Sequence, residues 1–139
     1  MDKKPYSLSV KAIVIGPDKK CLIIKRSMAS KKYPGCWDFP GGKLNFGELP
    51  GAAIERETKE ETGLSVQLVR VAGCGEMEIE DFRVAFLFFE AEAISSDVQL
   101  SSEHEAFQWV ERTRLADFEL CQQFKEFARE YSRATGGIR

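Results

Sequence analysis

Three glutamates, Glu57, Glu60 and Glu61, fall within five positions of the run GGKLNFGELPGAAIERETKEETGL, residues 41–64. Pro50 suits a first helical turn, where its missing N–H costs nothing, and Gly63 suits a left-handed C-terminal cap. The run therefore predicts a helix from about Leu49 to Thr62. With Glu57 as origin, Glu60 lies at about 300° and Glu61 at about 40° around the axis. The three carboxylates share one stripe, while Glu55, Lys59 and Thr62 point the other way, toward solvent. Like charges at this spacing repel by about 0.2–0.5 kcal/mol per pair, so something must offset them. Either Arg56, four residues before Glu60, relieves a solvated patch, or a divalent cation sits among the carboxylates. Magnesium and manganese are hard ions that take oxygen ligands. The loop FPGGKLNFGE just upstream favours the cation. The glycines Gly41 and Gly42 let backbone approach a ligand closely, and Glu48 stands at the helix entrance, where the dipole favours a carboxylate. A glycine-rich turn before an acid-lined helix forms a diphosphate–metal site.

The rest of the chain supplies a frame for that helix. SLSVKAIVI (7–15) alternates with Leu8, Val10, Ala12 and Val14 on one face and reads as a strand. GPDK marks a turn, CLIIKR (21–26) a second strand and residues 27–35 a polar loop. Residues 65–80 and 82–93 read as two long strands. In the second of these, VAFLFF is apolar on both faces, which predicts a central, doubly covered strand. AFQWV (106–110) is a further short strand. DFELCQQFKEFAREY (117–131) places Leu120, Phe124, Phe127 and Tyr131 at helical spacing and predicts a helix packed on the sheet. The tail from about residue 133 to 139 reads as frayed. Strands and helices mix without a regular βαβ alternation. The expected architecture is thus an α/β (α+β) domain over residues 1–139, a mixed sheet with helices on its faces.

A chain of 139 residues with formal net charge -2 has enough length for a core and no broad electrostatic pull toward a nucleic-acid polymer or an anionic membrane. Lys11 interrupts the N-terminal apolar run, so neither a signal peptide nor a membrane span fits. Cys21, Cys36, Cys74 and Cys121 show no CxxC spacing. They read as reduced, buried thiols, and hence point to the cytoplasm. The single histidine, His104, excludes chemistry that needs two histidine ligands, and it reads as structural. Glu76, Glu78 and Glu80 alternate with Met77 and Ile79 as the polar face of a half-buried strand. Trp37, Phe39 and Phe82 could offer a ring face to a ligand, although packing accounts for each. Lys25 or Arg26, ending the second strand, could meet a phosphate.

Gly42, five residues, Glu48, seven residues and then RETKEETGL resembles the Nudix box, GX5EX7REUXEEXGU, where U is bulky and apolar. Gly42, Glu48, Arg56, Glu57, Glu60, Glu61, Gly63 and Leu64 fill eight of its nine defined positions, and Thr58 departs at the first U. WDFPGG and EHEAFQWV are also similar to the family. The resemblance implies an α/β/α sandwich and Mg2+-dependent (Mn2+ as alternative) hydrolysis of a diphosphate linkage in a nucleotide or nucleotide conjugate. It implies Glu57, Glu60 and Glu61 as metal-binding carboxylates, the Gly42 carbonyl as a further ligand, Glu48 as a secondary ligand or an orienting group, and Arg56 as the group that orients the glutamates. Gly41, Gly42, Arg26 and Phe39 are the implied substrate contacts. Glu103 is the candidate for a last carboxylate and general base, with Glu105 as contender and Glu60 or Glu61 as alternative bases. MEIED lacks the proline of ADP-ribose-specific members. Of the coenzyme A signature, Arg26, Ser27, Gly35 and Phe39 are in place, but Ile24 and Lys31 are not its residues. The short chain suits a member that takes a (deoxy)nucleoside triphosphate to the monophosphate and diphosphate. Hydrolysis of a dinucleoside polyphosphate, nucleotide sugar or coenzyme A is the alternative. A non-catalytic nucleotide- or protein-binding module, and an isomerase using Cys36 or Cys74, are the competing classes. The partner is a small nucleotide, with a homodimer open.

Overall fold

A computed structural model describes residues 5–134. The chain runs through β1 (Tyr6–Ile15), β2 (Cys21–Arg26), β3 (Trp37–Asp38), β4 (Gly41–Lys43), α1 (Pro50–Thr62), β5 (Val66–Ile79), β6 (Phe82–Ala93) and β7 (His104–Val110). Two 3-10 turns, Arg112–Asp117 and Gln122–Phe124, lead into α2 (Lys125–Arg133). Most of the tail expected to fray, residues 135–139, lies outside the described residues.

The seven strands form one mixed sheet in the order β3-β2-β1-β6-β5, with β4 also on β1 and β7 also on β2. β1 is its axis. One side of β1 runs parallel to β6 over its whole length, from Tyr6 opposite Arg83 to Ile15 opposite Glu92. The other side is divided: Ser9–Lys11 pair with β4, and Ile15 pairs with Cys21 of β2. Because two different strands share that side, the sheet opens between them, and the Pro40–Gly41 turn fills the fork. There the Pro40 carbonyl accepts the Ala12 N–H at 2.7 Å. β6 is internal, as its two-sided apolar run predicts.

A residue period of two sends alternate side chains of β1 to opposite faces. Val10, Ala12 and Val14 join Leu22, Ile24, Ala53 and Ile54 under α1. Ile13 joins Phe86, Phe88, Phe124 and Phe127 under α2. The result is the α/β/α sandwich expected. The second face is an aromatic stack: Phe88 and Phe127 lie parallel with centroids 3.8 Å apart, and Phe124 meets Phe88 edge-on. Glu90, wholly buried on β6, is neutralised by Arg70 at 2.8 and 3.1 Å and by the Tyr131 hydroxyl at 2.6 Å. This third partner fixes α2 to the sheet.

Four expectations need correction. The helix expected over 117–131 begins only at Lys125. Residues 119–121 are held in an extended conformation against Trp37 instead. The Trp37 N–H donates to the Glu119 carbonyl at 2.9 Å, and the Cys121 N–H donates to the Trp37 carbonyl at 2.8 Å. Second, the thiols are not all reduced, because Cys36 and Cys121 form a disulfide at this junction. Cys21 is free and buried, and Cys74 is free and exposed. Third, Thr62 is fully buried, not solvent-facing. Its hydroxyl donates to the Thr58 carbonyl and accepts the Leu64 N–H, so its polar atom needs no water. Fourth, Leu8, placed on one face with Val10, Ala12 and Val14, is 38% exposed, because burial along β1 begins only at Ser9. Among the described residues, no helix is long and apolar enough to cross a membrane.

Of the four cysteines, the fold leaves two as thiols. Thiol titration of protein unfolded without reductant should therefore count two. Reduction beforehand should raise the count to four, and a count of four without reductant would contradict the pairing.

Candidate metal and diphosphate site

Helix α1 lies against β4 with its carboxylate stripe facing the sheet fork. It starts at Pro50 and ends where Gly63, at φ 76, donates its N–H to the Lys59 carbonyl. The stripe is graded from inside to outside. The Glu61 side chain is 10% exposed, Glu57 17% and Glu60 59%. The repulsion expected among them is managed differently at each position. Arg56 takes Glu48 in a two-point clasp at 2.8 and 2.9 Å, Glu57 at 3.0 Å and Glu60 at 3.4 Å. Hydrogen bonds from Arg56 and from the Asn45 N–H hold Glu48 down at about 2. Glu48 thus has both oxygens occupied, and it orients Arg56 while standing back from the cleft.

Glu61 is the inner member. Its Oε1 accepts the Gly41 N–H at 2.8 Å. Burial pushes its acid constant up to about 8, against the opposing pull of Lys11 and the Gly41 N–H, and the Asp38 and Glu57 charges add to the rise. Nearby, buried Lys11 donates to Asp38 Oδ1 at 3.1 Å and to the Phe39 carbonyl at 3.2 Å. Burial works against the Asp38 charge, but Lys11 and His104 outweigh it and keep the carboxyl well below the usual carboxylate range.

The glycines are there for space. Gly41 sits at φ 145, and a side chain on it would collide with the Val10 carbonyl. A Cβ on Gly42 would stand 2.9 Å from Glu57 Oε1. Only glycine lets the carboxylate lie against the β4 backbone.

A cleft of about 610 Å³ opens over this face. One wall carries Gly41, Gly42, Glu57, Glu61 and Glu103, and the floor carries Lys11 and Asp38. The opposite wall is apolar: Met77, Ile79, Phe82, Val84 and Phe86 from β5 and β6. Gln123 borders it with a buried Oε1 that has no partner among the described residues. Arg26 also lines the cleft, already engaged with Asp38 at 3.2 Å and with Ser30 and the Lys32 carbonyl.

The loop bearing Glu103 is strapped to the end of α1. Gln99 and Ser101 donate their N–H groups to the Thr62 and Glu61 carbonyls at 2.8 and 3.1 Å, and the Ser27 N–H donates to the Glu103 carbonyl at 3.0 Å. Glu103, Glu61 and His104 present ligand atoms within 4.8 Å of one another. Glu105 points elsewhere and accepts the Met28 N–H at 2.7 Å.

Some sequence candidates stand apart from the cleft. Phe39 is fully buried between Phe88, Phe124 and Phe127, so it offers no face to a substrate. Trp37 packs edge-on against Phe118. Phe82 does line the cleft, with the Lys43 ammonium 5.2 Å from its ring centre. Glu76, Glu78 and Glu80 are exposed while Met77 and Ile79 turn inward. Cys36 is consumed by the disulfide and cannot act as an acid or base. Sequence reasoning did not single out Lys11, Asp38 or Gln123 as cleft residues. The lysine interrupting an apolar strand was the one visible signal, since a charge there needs a buried partner.

A carboxylate-lined helix facing a glycine turn, on an α/β/α frame, sets hard oxygen donors beside open backbone. The NUDIX domain family model matches residues 5–134, and the chain belongs to the Nudix hydrolase family. The MutT protein from Methanosarcina mazei Go1 superposes with a TM-score of 0.84 at 32% identity, covering 94% of this chain and 96% of that one. A MutT-like protein of Streptomyces ambofaciens is 30% identical over 76% of this chain and 64% of its own length. The 8-oxo-dGTP diphosphatase of Proteus vulgaris is 33% identical over 64% of this chain and 78% of its own. The chain spans between 32% and 64% of the length of several curated relatives that it matches over most of its own.

Glu61 gives the site a pH signature. Between about 4.5 and about 8 the folded chain keeps a proton that the unfolded chain has released. Metal-free stability should therefore fall as pH rises through that window, by up to about 1.4 kcal/mol per pH unit. Glu61→Gln should flatten the slope and melt above the parent at pH 8 in chelator. An unchanged slope, measured by thermal melts across pH, would contradict the burial argument.

Proposed function

We propose that this chain hydrolyses a (deoxy)nucleoside triphosphate to the monophosphate and diphosphate, using a divalent cation, with Mg2+ as the working ion. One observation carries the reading: a single cleft pairs a carboxylate wall with an apolar wall, so a nucleotide's two chemically unlike halves each find a matching surface. The likeness to the 8-oxo-dGTP diphosphatase of Proteus vulgaris supports a triphosphate substrate.

The residues fit the cation. Glu57 and Glu61 offer oxygens against a backbone that a Cβ at Gly42 would block, and the donor set of carboxylates with the Gly42 carbonyl suits a hard ion. When bound, such an ion offsets the diphosphate's charge and makes water a better nucleophile. Glu57, Glu60 and Glu61 would hold it, and Arg56 keeps Glu57 and Glu60 aligned from behind. The Gly41–Gly42 backbone lets the phosphates approach. Glu103 lines the cleft beside Glu61 and is the group that takes the proton of the attacking water. Met77, Ile79 and Phe82 cover the nucleobase and keep bulk water from it, while the partnerless Gln123 oxygen accepts a hydrogen bond from the base.

Incubation with a panel of nucleotides and nucleotide conjugates, with and without Mg2+, tests the reading when products are identified by mass. Monophosphate release that depends on the ion is expected. Glu60→Gln and Glu61→Gln should each lower kcat by about a hundredfold or more with an unchanged circular dichroism spectrum. Glu103→Gln should do likewise, whereas Glu105→Gln should change kcat less than about threefold, since that residue is bonded to the Met28 loop. A folded protein that binds nucleotide without turnover would favour the binding-module reading.

A further inference from the structure

His104 opens β7 beside the cleft with a side-chain exposure of 0%, and neither ring nitrogen has a hydrogen-bond partner among the described residues. A buried imidazole left unpaired is costly, so its surroundings should say what it is for. Nε2 faces Asp38 Oδ2 at 3.8 Å, and Nδ1 faces Glu61 Oε2 at 4.0 Å, with Glu103 completing the group. A carboxylate on one ring nitrogen and acidic ligands around the other is the arrangement of a metal-binding histidine. There a carboxylate hydrogen-bonded to the far nitrogen fixes the tautomer and frees the opposite lone pair for the ion. Asp38 is held in line for that task by Lys11, Arg26 and the Phe39 N–H, and closing its 3.8 Å gap to Nε2 would complete the bond. The backbone supports the aim as well. The β2–β7 register shifts between Lys25 and Arg26, and this irregularity turns His104 inward and Glu105 outward.

We propose that His104 Nδ1 is a nitrogen ligand, joining Glu61 and Glu103 at a mixed-donor cation position inside the carboxylate stripe. The inference rests on the reading of that stripe as a cation site and adds a preference to it. Neighbouring ligands about 2.1 Å from one ion lie about 3 Å apart, so the Nδ1–Oε2 gap must close by about an ångström. Glu103, exposed on its loop, has freedom to follow. A nitrogen donor tilts the position away from Mg2+, which wants oxygen alone, toward first-row ions such as Mn2+ and Co2+.

The chain has one histidine, so the test is unambiguous. Pulsed electron-spin-echo spectroscopy of the whole chain loaded with Mn2+ should show nitrogen modulation. The pattern should change from 14N to 15N when only histidine is labelled. His104→Gln should lose the modulation and weaken Mn2+ binding by about 10–100-fold, while Mg2+ binding, read by competition, changes less than about threefold. Bound Mn2+ without histidine modulation would overturn the nitrogen ligand and leave the hydrolase reading standing. Absence of any bound Mn2+ would overturn both. Equal weakening for the two ions in His104→Gln would assign the residue to packing alone.

Discussion

The hydrogen bond from the Gly41 N–H to Glu61 is the joint on which the site depends. It crosses from the sheet to α1 at the point where β1 divides its pairing between β2 and β4. Remove it and the inner carboxylate has burial against it and one fewer group to favour its charge. The glycine pair makes the joint sterically possible, since side chains at Gly41 or Gly42 would strike the β1 backbone or Glu57. The helix is therefore docked by its functional face, and the groups that fix the fold locally are the groups that would face a ligand. Burial also grades the stripe. Glu61 is protonation-prone and rigid, Glu57 is half-screened, and Glu60 is open to water and to whatever enters.

The two layers of the sandwich are stabilised by different means. Under α1 the core is mainly aliphatic, with Phe89 as its buried aromatic; Thr58 and Thr62 are buried there too, and Thr62 satisfies its hydroxyl locally. Under α2 the core is aromatic, and it adds a buried ion pair at Glu90 and Arg70 with Tyr131 as the third member. Apolar burial contributes about 25 cal/mol per Å² on either face, but aromatic packing also gives directional contacts. Phe124 and Gln123 come from that second layer and border the cleft, so the geometry of the α2 side reaches the carboxylate wall.

The parts legible in the sequence were those governed by short-range rules. The β1 alternation, the two-sided apolar run of β6, the Pro50 start and the Gly63 cap of α1 depend on neighbours within a few residues. The carboxylate stripe is equally local, because helical periodicity alone aligns it. What the sequence hid depends on long-range pairing. The segment from Asp117 to Cys121 has helical spacing, yet two hydrogen bonds and a disulfide to residues 36 and 37 hold Glu119–Cys121 straight. No local signal announces contacts 85 residues apart. Phe39 shows the same limit. An aromatic beside a glycine loop suits a substrate contact equally well until the sheet fork turns it inward. His104 was read as structural because a lone histidine offers no spacing to interpret, and only the fold sets Asp38 and Glu61 on either side of it.

The most direct test is a crystal structure with Mn2+ and a non-hydrolysable nucleoside triphosphate, the ion located by its anomalous signal. This account predicts anomalous density among Glu57, Glu60, Glu61 and Glu103, phosphates over Gly41 and Gly42, and the base against Met77, Ile79 and Phe82. Ion and nucleotide found together elsewhere, with the carboxylate stripe facing only water and Arg56, would contradict it.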